Sequence, residues 1–456
     1  MPSQRALLPR STPAAAGISS RAIDSLLDQL EARSVECHSI MVVRRGHVVA
    51  EGWWAPYSAE RPHLLYSLTK SFASVAVGLA IADGLLTLDD RLVDVLPEHV
   101  PADISEQGRR ITVHHLLSMT AGHSTDSLDE AWRLEPDDLV KGFLRVPMTE
   151  AEGTRHTYDN ATTFILARMV ERVTGRGLPE LLDERLFLPM GIDHAEWDRV
   201  ASGAAFGFHG LHLTTEAVAA FGELLLRGGG WGDRQLIARD WVELATRRHS
   251  ETLPLPNWSQ NPDFLCGYGY QFWMSRHGYH GHGAFGQYCV VVPSHELVVV
   301  VTGAVEQEDV LPGLFWDCLL PGRPGAFRQG ETRRLGRGFG SARRNHGDRR
   351  SGGRWVAPAI RVVPHCRGRP RRMAGKFATR PPCRRDWRLA GQHVHRRAVR
   401  HHLAAPGPAG GRRRRGDSDG DLERRTTNQP QSRVAPPITP DDPARRRVDE
   451  PRLTGL

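Results

Sequence analysis

The sequence predicts an α/β domain in which an antiparallel sheet is flanked by helices and interrupted by an inserted, mainly helical subdomain. Patterns typical of β-hairpins lie near both ends of the first 320 residues, and mainly helical patterns fill roughly residues 85–250 between them. Because hairpins join neighbouring antiparallel strands, we expect strands from both ends of this region to meet in one sheet.

The first elements are predicted to be a helix, a hairpin and a second helix. Apolar residues recur with helical spacing over 18–33, with Ser19 as the candidate N-cap. Two apolar runs, 39–43 and 48–53, then enclose a glycine-containing turn and indicate a hairpin. A run of small and apolar residues over 71–81 predicts a buried helix that ends near Asp83-Gly84.

The remaining elements follow from caps, glycines and apolar runs. The middle of the chain is predicted to hold a short capped helix within 111–122, a longer helix over 160–176 closed by Gly175, a turn over 187–192, and a helix over 214–226 with Thr214 as N-cap. The runs 288–292 and 297–301 indicate the second hairpin, and 311–320 a closing helix.

Charge is distributed unevenly along the chain. The net charge is +8, but residues 321–456 contain 34 Lys and Arg against 11 Asp and Glu, a net of +23, whereas residues 1–320 have a net charge of −15. The basic isoelectric point therefore describes the tail, and we do not expect the acidic domain to bind nucleic acid.

The composition also changes near residue 320, which we predict to be the boundary between a domain over 1–320 and a tail over 321–456. The tail is rich in Arg, Gly, Pro and His and lacks apolar periodicity, so disorder is expected. A frameshift in a GC-rich gene would also produce such an abrupt change. A nucleic-acid-binding tail is the third interpretation; few aromatic residues and the lack of RGG or RS repeats oppose it.

Cysteine usage and hydropathy restrict the other function classes. The six cysteines form no Cys-x-x-Cys pair, so we expect reduced thiols and no metal site or cofactor. We expect no export signal, no membrane-spanning segment and a cytoplasmic location. The only partner expected is a small-molecule substrate, and the pattern does not indicate an oligomeric state.

The candidate nucleophile is Ser67, in a Ser-x-x-Lys sequence with Lys70 at the start of the buried helix. Residues three apart on a helix lie on one face, so the hydroxyl and the amine can meet. A lysine enclosed by apolar groups loses its proton more easily and can act as a base. A motif this short also occurs by chance, but the chain has only three lysines, which strengthens the assignment.

The second candidate motif is Tyr158-x-Asn160, just before a predicted helix. A tyrosine beside a lysine can relay a proton to the leaving group, while the asparagine amide can hold the lysine or the substrate carbonyl. The structural alternative is that Tyr158 is an aromatic residue in a turn and Asn160 a helix cap.

The third candidate segment is glycine-rich and covers residues 280–287, just before the second hairpin. Its glycines would let the backbone approach a ligand closely, and an N–H at the strand edge would complete an oxyanion hole with the N–H of the nucleophile. The alternative is a glycine-rich approach to the hairpin. Paired histidines also suggest a metal, but no carboxylate or cysteine partner has ligand spacing.

The order of these three motifs resembles the serine β-lactamase-related hydrolases, which include class C β-lactamases, DD-peptidases, esterases and nylon-oligomer hydrolases. The resemblance covers about residues 15–320 and implies a β-lactamase/transpeptidase-like fold. It also implies an acyl-enzyme on Ser67, with Lys70 and Tyr158 as the proton-transfer pair and Asn160 in support. The Gly283-Ala284 segment would supply the second oxyanion N–H, from Ala284.

The chain departs from this family in the third motif. Penicillin-recognising members have Lys-Thr-Gly or Lys-Ser-Gly where this chain has Gly281-His282-Gly283, so the lysine that helps hold a β-lactam carboxylate is absent. A protonated His282 would replace it in part. We therefore expect hydrolysis of small esters or amides. The alternatives are a β-lactamase or D-amino-acid peptidase, and a non-enzymatic binder joined to a nucleic-acid-binding tail.

Overall fold

The structure is a computed structural model that describes residues 6–200, 202–254, 261–306 and 310–320. The strands are β1 (Cys37–Arg44), β2 (His47–Trp53), β3 (His63–Leu64), β4 (Glu196–Trp197), β5 (Leu211–Leu213), β6 (Gly230–Trp231), β7 (Arg234–Gln235), β8 (Trp273–Ser275), β9 (Gly278–Gly283), β10 (Gln287–Val292) and β11 (Leu297–Gly303).

The α-helices of the same residues are α1 (Ser20–Ala32), α2 (Thr69–Ala82), α3 (Leu92–Val95), α4 (Val113–Leu117), α5 (Leu128–Leu134), α6 (Leu139–Arg145), α7 (Asn160–Thr174), α8 (Leu178–Leu182), α9 (Leu188–Met190), α10 (Thr215–Leu226), α11 (Arg239–Ala245) and α12 (Val310–Leu319).

In the described part of the chain, the main sheet has six strands in the order β2-β1-β11-β10-β9-β8, with every neighbouring pair antiparallel. Strand β11 pairs with β1 on one side and with β10 on the other, so the hairpins from both ends of the domain join in one sheet. The predicted mixed fold with an antiparallel sheet is confirmed.

Helices cover both faces of this sheet. The side chains of β11 are buried along its whole length, as its continuous apolar sequence requires of a strand buried on both faces. Alternate residues of β10 and β11 belong to two different hydrophobic cores, one that also contains residues of α1 and α12 and one that also contains residues of α2 and α10. The nucleophile helix α2 therefore lies within the larger of the two hydrophobic cores.

Two of the predicted helix caps make the expected hydrogen bonds, whereas Ser19, which precedes α1, makes no side-chain capping hydrogen bond. The Thr112 side chain accepts from the backbone N–H of His115 at the start of α4, and the Thr214 side chain accepts from that of Ala217 at the start of α10. Gly175 closes α7 in the left-handed conformation with φ of +67°. These local signals fix the helix boundaries.

Two sequence expectations need correction. The segment 187–192 is not simply a turn: a π-helical segment, Asp183–Phe187, continues into α9, and the left-handed turn begins only at Gly191. Pro189 lies in α9 and has no N–H, so it cannot donate to a carbonyl of the π-helical segment before it. The middle of the chain also contains two small sheets, β3-β5-β4 and β6-β7, whose strands of two or three residues are too short to show alternation.

The predicted boundary at residue 320 stays a prediction, because the tail over 321–456 lies outside the described residues. Helix α12 ends at Leu319, and its Phe315 and Trp316 are buried. Among the helices of the described ranges, none combines the length and apolar character needed to cross a membrane. The four cysteines in those ranges form no disulfide.

Candidate active site

Ser67 lies in a short 3-10 turn, Tyr66–Leu68, that leads directly into α2. Tyr66 has φ of +48°, a left-handed conformation that is strained for a residue with a side chain. Its ring packs edge-on against Phe285, with ring centres 5.3 Å apart. The nucleophile candidate is therefore presented by a strained turn that packs against the segment following β9.

Lys70 is fully enclosed, with 1% of its surface exposed. Its Nζ atom lies 2.9 Å from Ser67 Oγ, 2.7 Å from Asn160 Oδ1 and 3.0 Å from the carbonyl oxygen of Phe208. Burial lowers the pKa of Lys70 to about 7, although the nearby carboxylates of Asp126 and Asp159 act to raise it. The amine is thus substantially neutral near neutral pH.

The three partners of Lys70 differ in what they can do. The Asn160 and Phe208 oxygens can only accept, so each binds an N–H of the lysine in either protonation state. A neutral amine has two N–H bonds and one lone pair, and the hydroxyl of Ser67 is the one partner able to donate to that lone pair. The geometry therefore suits proton transfer from Ser67 to Lys70.

Tyr158 lies beside the lysine, because Lys70 Nζ is 4.9 Å from the centre of the Tyr158 ring. This ring stacks on Trp273 with ring centres 5.5 Å apart and an interplanar angle of 16°. Tyr268 packs edge-on against it. The aromatic neighbours hold the ring of Tyr158 in place next to Ser67 and Lys70.

The cap of α7 is Asp159 rather than Asn160, which removes the structural alternative for the asparagine. Asp159 Oδ1 accepts from the backbone N–H of Ala161, as an N-cap side chain does. Asn160 is the first helical residue, and its amide bridges two groups outside the helix, with Oδ1 on Lys70 and Nδ2 on Asp126.

Two aspartates that lie next to Asn160 in the structure, Asp126 and Asp159, were not predicted from the sequence as site residues. Asp126 accepts from both the backbone N–H and the side-chain amide of Asn160. Asp159 is buried and accepts from the Ser127 hydroxyl at 2.7 Å, with His123 Nδ1 3.3 Å away. Asp126 stands in the polar loop after the Thr-Ala-Gly turn, and aspartate in a loop has too many ordinary explanations to attract notice.

The Phe208 carbonyl was also missed, because a backbone acceptor has no residue-type signature. The available signal was the sequence Phe206-Gly207-Phe208-His209-Gly210, in which glycines alternate with aromatic residues. Gly207 and Gly210 have φ of +73° and +96°, conformations that favour glycine, and they turn the backbone so that the carbonyl of Phe208 meets Lys70.

Strand β9 carries the glycine-rich third motif, and two of its glycines pack against the turn that contains Ser67. A β-carbon on Gly283 would lie 2.1 Å from the carbonyl oxygen of Leu65 and 3.0 Å from the amide nitrogen of Leu68. A β-carbon on Gly281 would lie 2.3 Å from the Leu68 side chain. These glycines therefore allow the strand to approach the turn that carries Ser67, whereas the sequence suggested close approach to a ligand.

Ala284 follows β9 in a tight turn that several hydrogen bonds hold. Gln287 Nε2 donates to the carbonyls of Ala284 and Gly303, both at 2.9 Å, and the Phe285 carbonyl accepts from the N–H of Val305. Strand β8 pairs with β9 only from Gly278 to His280, so it does not cover the Gly283 end of β9. The position of Ala284 relative to Ser67 is thus fixed.

The structure places His282 on the other face of β9 from Gly281 and Gly283. Its ring contacts Phe264 and Tyr288, with ring centres 5.0 Å and 4.7 Å away, and 9% of the residue is exposed. The contacts bring together Ser67, Lys70, Tyr158 and Asn160, and Gly283 meets the turn that carries Ser67. His282 contacts Phe264, which in turn contacts Trp273, the residue on which Tyr158 stacks.

No group of three or more His, Cys, Asp or Glu side chains suited to hold a metal ion occurs among the described residues.

Comparisons with known proteins agree with this geometry. A sequence profile described as Beta-lactamase matches residues 23–310. The 6-aminohexanoate-dimer hydrolase of Paenarthrobacter ureafaciens is 26% identical over 249 residues, which cover 51% of this chain and 63% of that enzyme. The lovastatin esterase of Penicillium rubens is 29% identical over 189 residues, covering 36% of this chain and 47% of the esterase. The chain thus spans less than two thirds of either relative.

Solved structures show a similar fold. A penicillin-binding protein homologue from Caulobacter crescentus superposes with a TM-score of 0.51 at 19% identity, covering 62% of this chain and 91% of that one. At this identity the likeness concerns the fold alone.

Proposed function

Because this chain belongs to the beta-lactamase family, we propose that it is a serine hydrolase that cleaves small esters or amides through an acyl-enzyme on Ser67. The observation that carries the proposal is the 2.9 Å contact between Ser67 Oγ and the enclosed Nζ of Lys70. An ammonium buried at this depth is costly, and its use as a base gives a reason to keep it there.

The acylation step follows from these contacts. Lys70 takes the proton of Ser67 while Oγ forms a bond to the substrate carbonyl carbon, and the carbonyl oxygen gains the electron pair. The N–H groups of Ser67 and Ala284 are the proposed donors to this oxyanion. The N-terminal end of α2 adds a favourable field at the same place.

Collapse of the tetrahedral intermediate breaks the bond to the leaving group, which needs a proton. Tyr158 is the proposed relay between the Lys70 ammonium and the leaving oxygen or nitrogen, because its ring lies against Nζ. A water then attacks the acyl-enzyme, Lys70 takes one of its protons, and Ser67 recovers its hydroxyl as the acid product leaves. Both steps use the same base.

Two of the relatives favour esters or linear amides as substrates, since one is named for a 6-aminohexanoate dimer and the other for lovastatin. The third motif argues in the same direction. A β-carbon at position 281 would lie 2.3 Å from Leu68 Cδ1 and 2.7 Å from Ser71 Oγ, so the lysine that this motif has in penicillin-recognising proteins would require these side chains to move. Other relatives are named putative D-alanyl-D-alanine carboxypeptidase and penicillin-binding protein 4, and their names favour the D-amino-acid peptidase alternative.

The direct test is covalent labelling of Ser67. Incubation with a fluorophosphonate should add one phosphonyl group to the intact protein, and Ser67→Ala should remove both the adduct and hydrolysis of p-nitrophenyl esters. A Ser67→Ala protein that still hydrolyses these esters at the wild-type rate would contradict the assignment. A folded, unlabelled and inactive wild-type protein would instead favour a non-enzymatic binder.

A further inference from the structure

Asp126 holds Asn160 through two hydrogen bonds. The backbone N–H of Asn160 donates to Asp126 Oδ1 at 3.1 Å, and its side-chain Nδ2 donates to Asp126 Oδ2 at 2.5 Å. Asp126 is exposed as a residue, but these bonds direct its carboxylate toward the start of α7. The backbone N–H of Leu128 also donates to Oδ1, at 3.2 Å, and fixes the carboxylate from its own side.

The orientation of the Asn160 amide decides what Lys70 meets. An asparagine side chain can turn over and exchange its oxygen and nitrogen with little change in shape. When Oδ1 of Asn160 points toward Lys70, it accepts a hydrogen bond from the lysine amine. When Nδ2 points toward Lys70 instead, the N–H groups of the amide and of the amine would face each other without an acceptor. An ionised carboxylate can accept hydrogen bonds but cannot donate them. Asp126 therefore binds the amide nitrogen of Asn160 and repels its amide oxygen.

Charge at this position also reaches the lysine. Although the residue is exposed, partial removal of its carboxylate from water, together with the neighbouring Asp159 carboxylate, raises the pKa of Asp126. The charges of Asp126 and Asp159 in turn act to raise the pKa of Lys70 against the effect of burial. The carboxylate at 126 therefore affects both the geometry and the protonation of the base.

We propose that Asp126 is a positioning residue of this site, which holds the Asn160 amide in the one orientation that presents its oxygen to Lys70. The proposal rests on the function proposed above, since it concerns the base of that reaction. Asp126 acts through Asn160 and has no role in bond making itself.

The test variant is Asp126→Asn, which keeps the shape but replaces one acceptor oxygen with a donor. We expect kcat for ester hydrolysis to fall about 10- to 100-fold, the range that a misplaced catalytic group produces. The acid limb of the kcat/KM profile should also move to lower pH, because Lys70 loses a neighbouring negative charge. The matched control is Asp129→Asn, an exposed acid in the first turn of α5, which should leave both quantities unchanged.

A double-mutant cycle tests whether the effect passes through Asn160. In an Asn160→Ala background, Asp126→Asn should cause little further loss of kcat. If Asp126→Asn lowers kcat by the same factor with and without Asn160, the positioning role is wrong. Wild-type kcat and an unchanged pH profile in Asp126→Asn would also overturn it.

A readout that needs no turnover separates this proposal from the proposed function. The chain has three lysines, so carbon-13-labelled lysine gives few NMR signals, and Lys70→Arg identifies the one from Lys70. Asp126→Asn should shift the titration of that signal to lower pH, and an unchanged titration would contradict the proposal even if no substrate had been found. If Asp126→Asn does not fold, Asp126→Ser, which also removes the charge, takes its place in every measurement with the same expected results.

Discussion

Gly283 approaches the turn before Ser67 so closely that a β-carbon on it would lie 2.1 Å from the carbonyl oxygen of Leu65. This contact sets the distance between strand β9 and the start of helix α2. Since Ala284 follows directly, the contact also sets where its N–H lies relative to the candidate nucleophile.

Gly283→Ala should therefore push β9 away from the nucleophile turn. We expect ester hydrolysis to fall at least about 10-fold and the free energy of unfolding to fall by about 1–3 kcal/mol, as in other overpacked sites. Initial rates and thermal unfolding check both effects. The control is Gly313→Ala in α12, where a β-carbon meets no atom within 4 Å. Wild-type rates in Gly283→Ala would show that this spacing is unimportant.

Activity should depend on pH through Lys70. The lysine acts as a base only when neutral, and burial lowers its pKa to about 7. Therefore kcat/KM should rise with pH, reach half its maximum near that value and level off above it, since this ratio reports ionisation of the free enzyme. A rate profile in overlapping buffers provides the measurement. A profile that is flat below pH 7, or that keeps rising toward the pKa of an ordinary lysine, would contradict Lys70 as base.

Tyr158→Phe should separate leaving groups that need a proton from those that do not. The substitution keeps the ring that stacks on Trp273, so the fold should be retained. Nitrophenolate leaves without protonation, whereas an aniline does not. We expect hydrolysis of an anilide to fall about 10²- to 10⁴-fold and that of a p-nitrophenyl ester much less. Equal losses for both substrates would count against Tyr158 as the proton relay.

Short-chain esters should be much better substrates than β-lactams. Turnover of a β-lactam requires a carboxylate anchor and a positioned deacylating water, while an ester needs chiefly the nucleophile and the oxyanion donors. Position 281 is a glycine and provides no lysine anchor, and His282 packs against Phe264 and Tyr288. Comparison of kcat/KM for p-nitrophenyl acetate and nitrocefin checks this; an equal or higher value for nitrocefin would favour the β-lactamase alternative.

The catalytic domain should be separable from residues beyond 320. The candidate site residues lie before residue 290, and α12 ends at Leu319. Limited digestion with trypsin should remove the arginine-rich tail first and leave an active fragment of about 320 residues. Mass spectrometry and an esterase assay of the fragment provide the measurement. A folded fragment without activity would place part of the site in the tail.

The sequence predicted elements that carry long regular patterns. The helix over 18–33 was found because its apolar residues recur with helical spacing, and both hairpins were found because two apolar runs enclose a short turn. The contact between Ser67 and Lys70 followed from helical spacing, which is local. By contrast, Asn160 lies 90 residues from Lys70, and the chemistry of its amide left two possible partners open, the lysine and the substrate carbonyl.

Other features were beyond prediction for identifiable reasons. Asp159 and Asn160 are both residues that cap helices well, so the sequence alone could not assign the cap to one and the lysine contact to the other. The Phe208 carbonyl is a backbone group and has no sequence signature. The direction of Gly281 and Gly283 toward the nucleophile turn depends on the register of β9 with β10, which tertiary packing sets.

The order of strands in the main sheet has a consequence for biosynthesis. β11 lies between β1 and β10. One edge of β1 therefore stays unpaired until β11 has been synthesised, roughly 250 residues later. At roughly 5–20 residues per second, this delay amounts to about 12–50 s. During that time the valine-rich edge of the amino-terminal hairpin is open to pairing with other chains. Yield of folded protein should therefore respond to translation speed and to chaperones that bind nascent chains.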